Sequence, residues 1–321
     1  MAKGAPAAVG ETAYAKALIE IGKAVVGNGE TLEKLLIAVF SDGHVLLEGV
    51  PGIAKTRIAN AIAQSLDCDF KRIQFTPDLL PSDIIGTMVF DSPTGKFVLK
   101  KGPIFANVIL ADEINRAPPK TQAALLEAMQ ERQVSIDGTT YPLPYPFIVI
   151  ATQNPVEMEG TYPLPEAQLD RFLFKLLLTY PSREEEVQIV EMKAGTEPRV
   201  GKAMRPPDIA RAAEAIARVQ ADRSVLGYIV DIVAATRARA DVQLGASPRG
   251  SIALMKAAKA KAFLDGREYV IPDDVKGAAH AALRHRIILN PEAELAGATV
   301  DGVIDEVLAR AAVPKGREGR R

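Results

Sequence analysis

The sequence is poor in the residues that build disulfide or metal frameworks. It has one cysteine, Cys68, and three histidines, His44, His280 and His285. A lone thiol forms no internal disulfide and no cysteine metal cluster, and it fits a reducing cytoplasm. Cys68 reads as an inert small residue near a strand. None of the histidines stands in ligand spacing with another histidine or with the cysteine, which argues against a zinc site. Charge of one sign is lacking as well. The formal net charge is -1, so no whole-molecule field draws the chain to nucleic acid or to acidic membranes. No stretch approaches the ~20 apolar residues of a membrane span. Residues 1–10 are small and Ala-rich, without an apolar segment long enough for a signal peptide. Residues 315–321 are rich in Gly and Arg and read as a frayed tail rather than a nucleic-acid arm.

What is present is the balance of an ordinary soluble protein, 48% hydrophobic and 25% charged. At 321 residues the chain exceeds one domain of typical size, so two domains are expected. Continuous apolar runs at 45–47, 108–110, 147–150 and 172–174 have strand length. Unbroken apolar runs suit strands buried on both faces, as in a parallel sheet covered by helices. Between them, Ile58, Ala59, Ile62, Ala63 and Leu66 form a helical stripe, and so do Leu125, Leu126 and Met129. The alternation predicts an α/β domain with helices on both faces of the sheet.

Two segments interrupt this rhythm. Residues 86–105 alternate about a turn at 92–95, and residues 134–146 contain Asp137-Gly138 between two short runs. Both read as β-hairpins inserted in the α/β core. Such insertions project toward partners or serve as plain structural additions. The character changes at Tyr180-Pro181. Ser182 and Glu185 have capping-box spacing, and four helical stretches follow at 210–219, 225–239, 252–264 and 275–286. The expected division is an α/β core over 1–181 and an all-α domain over 182–321.

Three strand ends carry candidate chemistry. After Val45-Leu46-Leu47-Glu48 come Gly49, Val50, Pro51, Gly52, Ile53, Ala54, Lys55 and Thr56, then a helix. A glycine-bearing loop between strand and helix turns successive backbone N–H groups onto phosphate oxygens. Ala54 stands where a second glycine is usual, and meets the same demand if its dihedrals are helical. Lys55 is placed for the β- and γ-phosphates and Thr56 for Mg2+. The second strand ends in Asp112-Glu113. Ligands of α/β sheets sit at the carboxyl ends of strands. Asp112 suits the metal, through its waters, and Glu113 suits activation of the attacking water. Taken alone, two acids there serve equally well as a solvated turn. The third strand ends in Thr152-Gln153-Asn154-Pro155, where Asn154 either positions the water or makes an ordinary turn before proline.

Together these residues resemble the AAA+ ATPases, and the Ala54 variant resembles their MoxR branch. Residues 49–56 look like Walker A, 112–117 like Walker B, and 151–155 like sensor 1, with Asn154 as the sensor. Residues 164–172 look like the arginine-finger segment, Ser247-Pro248-Arg249-Gly250 like sensor 2, and Val25-Val26-Gly27 like the stretch that packs on adenine. The matches cover about residues 21–286. The resemblance implies an AAA+ P-loop core with a helical lid, ATP and Mg2+ as ligands, and a hexameric ring. It implies that Arg171 reaches a neighbouring subunit's ATP, the bland alternative being a surface Asp170–Arg171 salt bridge. It implies that Arg249 touches the γ-phosphate, in its own subunit or the next. It places the hairpins where relatives handle a substrate, with Phe90, Phe97 and Tyr141 gripping a polypeptide or packing the hairpins. Relatives act as chaperone-like maturation factors, often beside a separate protein with a von Willebrand factor A domain. A chelatase-type motor and a nucleic-acid motor are the rival readings. Near-zero net charge and no basic stripe argue against the latter.

Overall fold

A computed structural model describes residues 6–50, 52–155, 160–195 and 198–314, with side chains from residue 13 onward. Helices α1 (Pro6–Ala24) and α2 (Gly29–Phe40) precede β1 (Val45–Glu48). Then come α3 (Lys55–Ser65), β2 (Phe70–Gln74), the short α4 (Pro81–Ile85), β3 (Gly86–Asp91), β4 (Lys96–Lys101) and β5 (Val108–Asp112). Next are α5 (Pro119–Glu131), β6 (Gln133–Ile136), β7 (Thr139–Pro142), β8 (Ile148–Gln153), α6 (Glu166–Leu169), β9 (Phe174–Leu177) and α7 (Arg183–Ala194).

Strands β2, β5, β8, β1 and β9 form one sheet in that order, parallel throughout. The three chemistry-bearing strand ends, of β5, β8 and β1, are therefore side by side. The central strands are buried on both faces, as their apolar runs predict. Their residues divide alternately between two apolar clusters. Val45, Leu47, Val108, Leu110, Ile148 and Ile150 face a cluster shared with α1, α2, α3 and the C-terminal helices. Leu46, Ile109, Ala111, Val149 and Ala151 face the cluster built on α5 and the hairpins. Burying the valine, leucine and isoleucine side chains contributes about 1.5–3 kcal/mol each.

Two strands differ from the expected runs. β2 has no apolar run because it is an edge strand whose Lys71, Arg72 and Gln74 are exposed. The fourth strand is Phe174–Leu177, not 172–174. Phe172 and Leu173 are buried but lie in the preceding turn, where their carbonyls accept from Arg286 instead of joining the ladder.

Both hairpins form. β3 and β4 pair across the expected turn, and β6 and β7 close on Asp137 and Gly138 with φ of 49° and 76°. Positive φ at both central residues is the turn that matches strand twist. Tyr141 packs against the second core cluster. Phe90 and Phe97 stay exposed, edge to face at 5.5 Å between ring centres.

Ser182 caps α7 as predicted. Its hydroxyl accepts from Glu185 N at 3.3 Å, and the Glu185 carboxylate accepts from Ser182 N at 2.8 Å. Beyond it lie α8 (Pro206–Arg218), α9 (Arg223–Arg237), β10 (Val242–Leu244), α10 (Pro248–Leu264), α11 (Pro272–Leu283), β11 (Ile288–Leu289), α12 (Pro291–Leu295) and α13 (Val300–Arg310). The expected all-α character holds for the helices, with one correction. β10 and β11 form a small antiparallel ribbon inside this part of the chain. No helix among the described residues is long and apolar enough to cross a membrane.

Candidate active site

The loop after β1 is set by backbone geometry. Gly49 N donates to Gln153 O at 3.3 Å, tying the loop's first residue to the end of β8. A Cβ on Gly49 would sit 2.8 Å from Leu178 O, so only glycine fits there. Gly52 has φ +86°. Ala54, the residue before α3, has φ 60° and ψ 20°. This corrects the expectation of helical dihedrals. The chain inverts its handedness at Ala54 before α3 begins, a conformation that costs an L-residue about 1–2 kcal/mol. The alanine thus occupies a glycine-type position without a glycine's freedom. Its carbonyl accepts from Ile58 N at 2.9 Å and starts the helix. Lys55 Nζ donates to Gly49 O and lies 3.5 Å from Gln153 O, so its ammonium sits over the loop. Pro51 lies outside the described residues.

The two acids after β5 are held in a connected network. Thr152 Oγ1 on β8 donates to Asp112 Oδ1 at 2.6 Å and accepts from Glu113 N at 2.8 Å. Arg72, on the edge strand, donates to Asp112 Oδ2 through Nε at 3.0 Å and Nη2 at 2.6 Å. Gln74 Nε2 donates to Glu113 Oε2 at 2.7 Å, and Arg116 Nε lies 3.2 Å from the same oxygen. Glu113 has φ 56° and ψ 51°. A bulky residue in that region is strained, and such strain gathers at functional sites. Arg72, Gln74 and Thr152 carried no role in the sequence reading. The first two lie on the strand whose polar edge hid it, and Thr152 reads as one more polar residue at a strand end.

These parts converge. Val26, Gly52, Ile53, Ala54, Lys55, Thr56, Asp112, Glu113 and Asn154 line one cavity of about 820 Å³. Its apolar lining comes from Val25, Val26, Tyr180, Ile189 and Met192. Gly27 borders it without lining it. It has φ +68°, and a Cβ there would strike the Glu185 carboxylate that caps α7. One hydroxyl and one carboxylate at the phosphate end are hard oxygen ligands, the donor set that suits Mg2+ completed by phosphate oxygens. No group of three or more His, Cys, Asp or Glu able to hold a metal occurs among the described residues.

Arg171 and Arg249 are elsewhere. They line a second cavity of about 340 Å³ with Arg132, Lys256 and Arg286. Arg171 Nη1 donates to Leu126 O at 2.8 Å, and its buried Nε meets no acceptor. Asp170 does not pair with Arg171. It accepts from Arg286 Nε at 2.7 Å and Ser247 Oγ at 2.9 Å, and lies 3.6 Å from Arg249. The bland alternative for Arg171, a surface pair with Asp170, is therefore absent.

His44 and Cys68 are structural. His44 Nε2 donates to Met129 O at 3.0 Å and Nδ1 accepts from Val149 N at 2.9 Å, which requires a neutral ring. Burial, reinforced by Arg132, pushes its pKa down to about 3. Burial pushes the Cys68 thiol up to about 12, and the carboxylates of Asp67 and Asp69 add to the effect.

A sequence profile of the ATPase family associated with various cellular activities (AAA) matches residues 44–174, and a profile of the AAA lid domain matches 234–307. The chain is 45% identical to Chaperone MoxR1 of Mycobacterium tuberculosis, over 94% of this chain and 82% of that protein. It is 49% identical to the uncharacterized protein YeaC of Bacillus subtilis, over 95% of this chain and 96% of that one. The crystal structure of an ATPase candidate from Cytophaga hutchinsonii superposes with a TM-score of 0.91 at 46% identity, covering 97% of both chains. With a parallel sheet whose phosphate loop and acidic strand end open into one cavity, and with full-length relatives at this identity, the chain belongs to the MoxR family of AAA+ ATPases.

Proposed function

We propose that the chain hydrolyses Mg·ATP in the 820 Å³ cavity and uses the turnover to remodel other proteins. One observation carries the reading: Lys55, Thr56, Asp112, Glu113 and Asn154 all line one cavity together with the apolar side chains of Val25, Val26, Ile189 and Met192. Lys55 exchanges its contact with Gly49 O for the β- and γ-phosphates, while the amides at the start of α3 take the remaining phosphate oxygens. Thr56 and Asp112 would hold Mg2+, whose charge offsets that of the triphosphate. Glu113 takes the proton of the attacking water, and Asn154 holds that water in line with the γ-phosphate. Val26, with the backbone at Gly27, forms the wall for adenine.

In this reading the site is shared between subunits of a hexameric ring. Arg171 lies outside the chain's own cavity, which supports its action on a neighbouring subunit's nucleotide, where it stabilises charge developing in the transition state. Arg249 lines the same second cavity and is assigned to the same neighbouring nucleotide. In this reading the core gives way to the lid between residues 181 and 182. The name of the mycobacterial relative, and the resemblance stated above, support a chaperone-like role toward protein complexes. A separate protein with a von Willebrand factor A domain is the expected partner. The Phe90–Phe97 pair is the surface of the hairpin offered to a polypeptide.

The test is phosphate release from ATP with and without Mg2+, compared with Glu113→Gln. Wild-type protein should release phosphate only with the metal. Glu113→Gln should keep nucleotide and lose turnover, and should trap clients in a pull-down. Release unchanged by Glu113→Gln would remove the catalytic assignment, and stimulation by DNA or RNA would favour a nucleic-acid motor.

A further inference from the structure

Arg286 follows α11 and is 7% exposed. Burying a guanidinium is costly unless its donors are met. It has five N–H groups, and each finds an oxygen. Nε donates to Asp170 Oδ1 at 2.7 Å. Nη2 donates to Asp170 O at 3.0 Å and Phe172 O at 2.7 Å. Nη1 donates to Leu173 O at 3.3 Å and to Ala282 O. All of these acceptors except Ala282 belong to the turn 170–173, and that turn carries Arg171. The same Asp170 carboxylate accepts from Ser247, the residue that caps the helix bearing Arg249. An arginine from the C-terminal helical part therefore dictates the shape of a turn in the sheet domain.

We propose that Arg286 is the positioning residue for Arg171, fixing the 170–173 turn so that Arg171 is presented to the neighbouring subunit's nucleotide. The inference rests on the shared-site reading above. With a side chain only 3% exposed, Arg286 reaches no ligand itself. It acts through the turn. Because α11 and the turn are joined by one fully engaged guanidinium, displacement of the helical part in one subunit is passed to the arginine that serves the next.

The test uses Arg286→Lys, which keeps the charge and cannot make the forked contact. Misplacing a catalytic group by about 1 Å costs on the order of 100-fold, so turnover should fall about 100-fold while ATP affinity stays within about twofold. Mixing Arg286→Lys with Glu113→Gln subunits should restore activity as far as mixing Arg171→Ala with Glu113→Gln does, since each partner supplies the half the other lacks. A merely structural defect would not be complemented. If Arg286→Lys fails to fold by circular dichroism, Asp170→Asn, isosteric but without the charge that Arg286 pairs with, takes the same tests. Wild-type turnover in the folded variant would overturn the proposal. So would failure of complementation where Arg171→Ala is complemented. If Arg171→Ala is not complemented either, the shared site itself is wrong and the proposal falls with it.

Discussion

Thr152 donates its hydroxyl hydrogen to Asp112 at 2.6 Å and accepts from the amide of Glu113 at 2.8 Å. One side chain on β8 thus sets both acids at the end of β5. Thr152→Val keeps the shape, removes the acceptor for a partly buried amide and leaves Asp112 with one partner fewer. The expected cost is about 1–3 kcal/mol of stability and a fall in turnover larger than any fall in ATP affinity. Thr152→Ser should retain both. Urea unfolding and steady-state kinetics check this, and a valine variant with wild-type turnover would show that the hydroxyl orients nothing of consequence.

The sequence has no tryptophan, and Tyr180, 73% exposed, lines the large cavity. Tyr180→Trp therefore makes a single-indole protein whose emission should shift on addition of ATP. Tyr180→Ala should weaken ATP roughly tenfold, the order expected for one base–aromatic stack, and leave inorganic tripolyphosphate binding unchanged. An equal loss for both ligands would mean that Tyr180 supports the loop and not the base.

At φ 60°, Ala54 pays a left-handed backbone penalty. Ala54→Gly removes about 1–2 kcal/mol of strain and adds back about 0.4–1 kcal/mol of unfolded-chain entropy. The net expectation is a gain between zero and about 1.6 kcal/mol with nucleotide binding kept. Thermal unfolding without nucleotide measures it, and a destabilised variant would mean that the methyl group's packing outweighs the strain.

Two buried histidines give stability a pH dependence. Burial holds His44 at about 3 and His285 well below its ordinary value, the latter also opposed by the adjacent Arg286 charge. Both folded values lie beneath the unfolded value of about 6.5, so the unfolded chain binds more protons below that pH. The contribution is complete above pH 6.5 and is lost as pH falls toward 3, at up to about 1.4 kcal/mol per pH unit for each ring. Urea midpoints at pH 7.5, 6.0 and 5.0 should fall in that order, and His44→Gln should flatten the slope.

Much of this was legible in the residues. The continuous runs in β1, β5 and β8 announce strands buried on both faces, and burial on both faces places their ends in one row. Asp137-Gly138 and the Ser182–Glu185 pair each specify a local geometry that the backbone then adopts. What was hidden depends on contacts between distant segments. β2 carries Arg72 and Gln74 on an edge, where alternation is weak, so the partners of Asp112 and Glu113 had no local signature. The handedness of Ala54 follows from the path the loop must take between β1 and α3, which residue type alone would argue against. The grip of Arg286 on residues 170–173 spans more than a hundred positions and leaves no pattern in either segment.

Helix α7 has no buried residue, although Val187 and Val190 are apolar and Ile189 and Met192 face the large cavity. Such a helix is held by its cap and by half-buried contacts such as Arg57 with Met192, not by a core of its own, so its amides should exchange with solvent early. A base entering beside Ile189 and Met192 would add an apolar neighbour to the helix. Occupancy and local folding would then be a single equilibrium, with α7 firming by RT ln(1 + [ATP]/Kd). The wall of the cavity would be, in effect, its gauge.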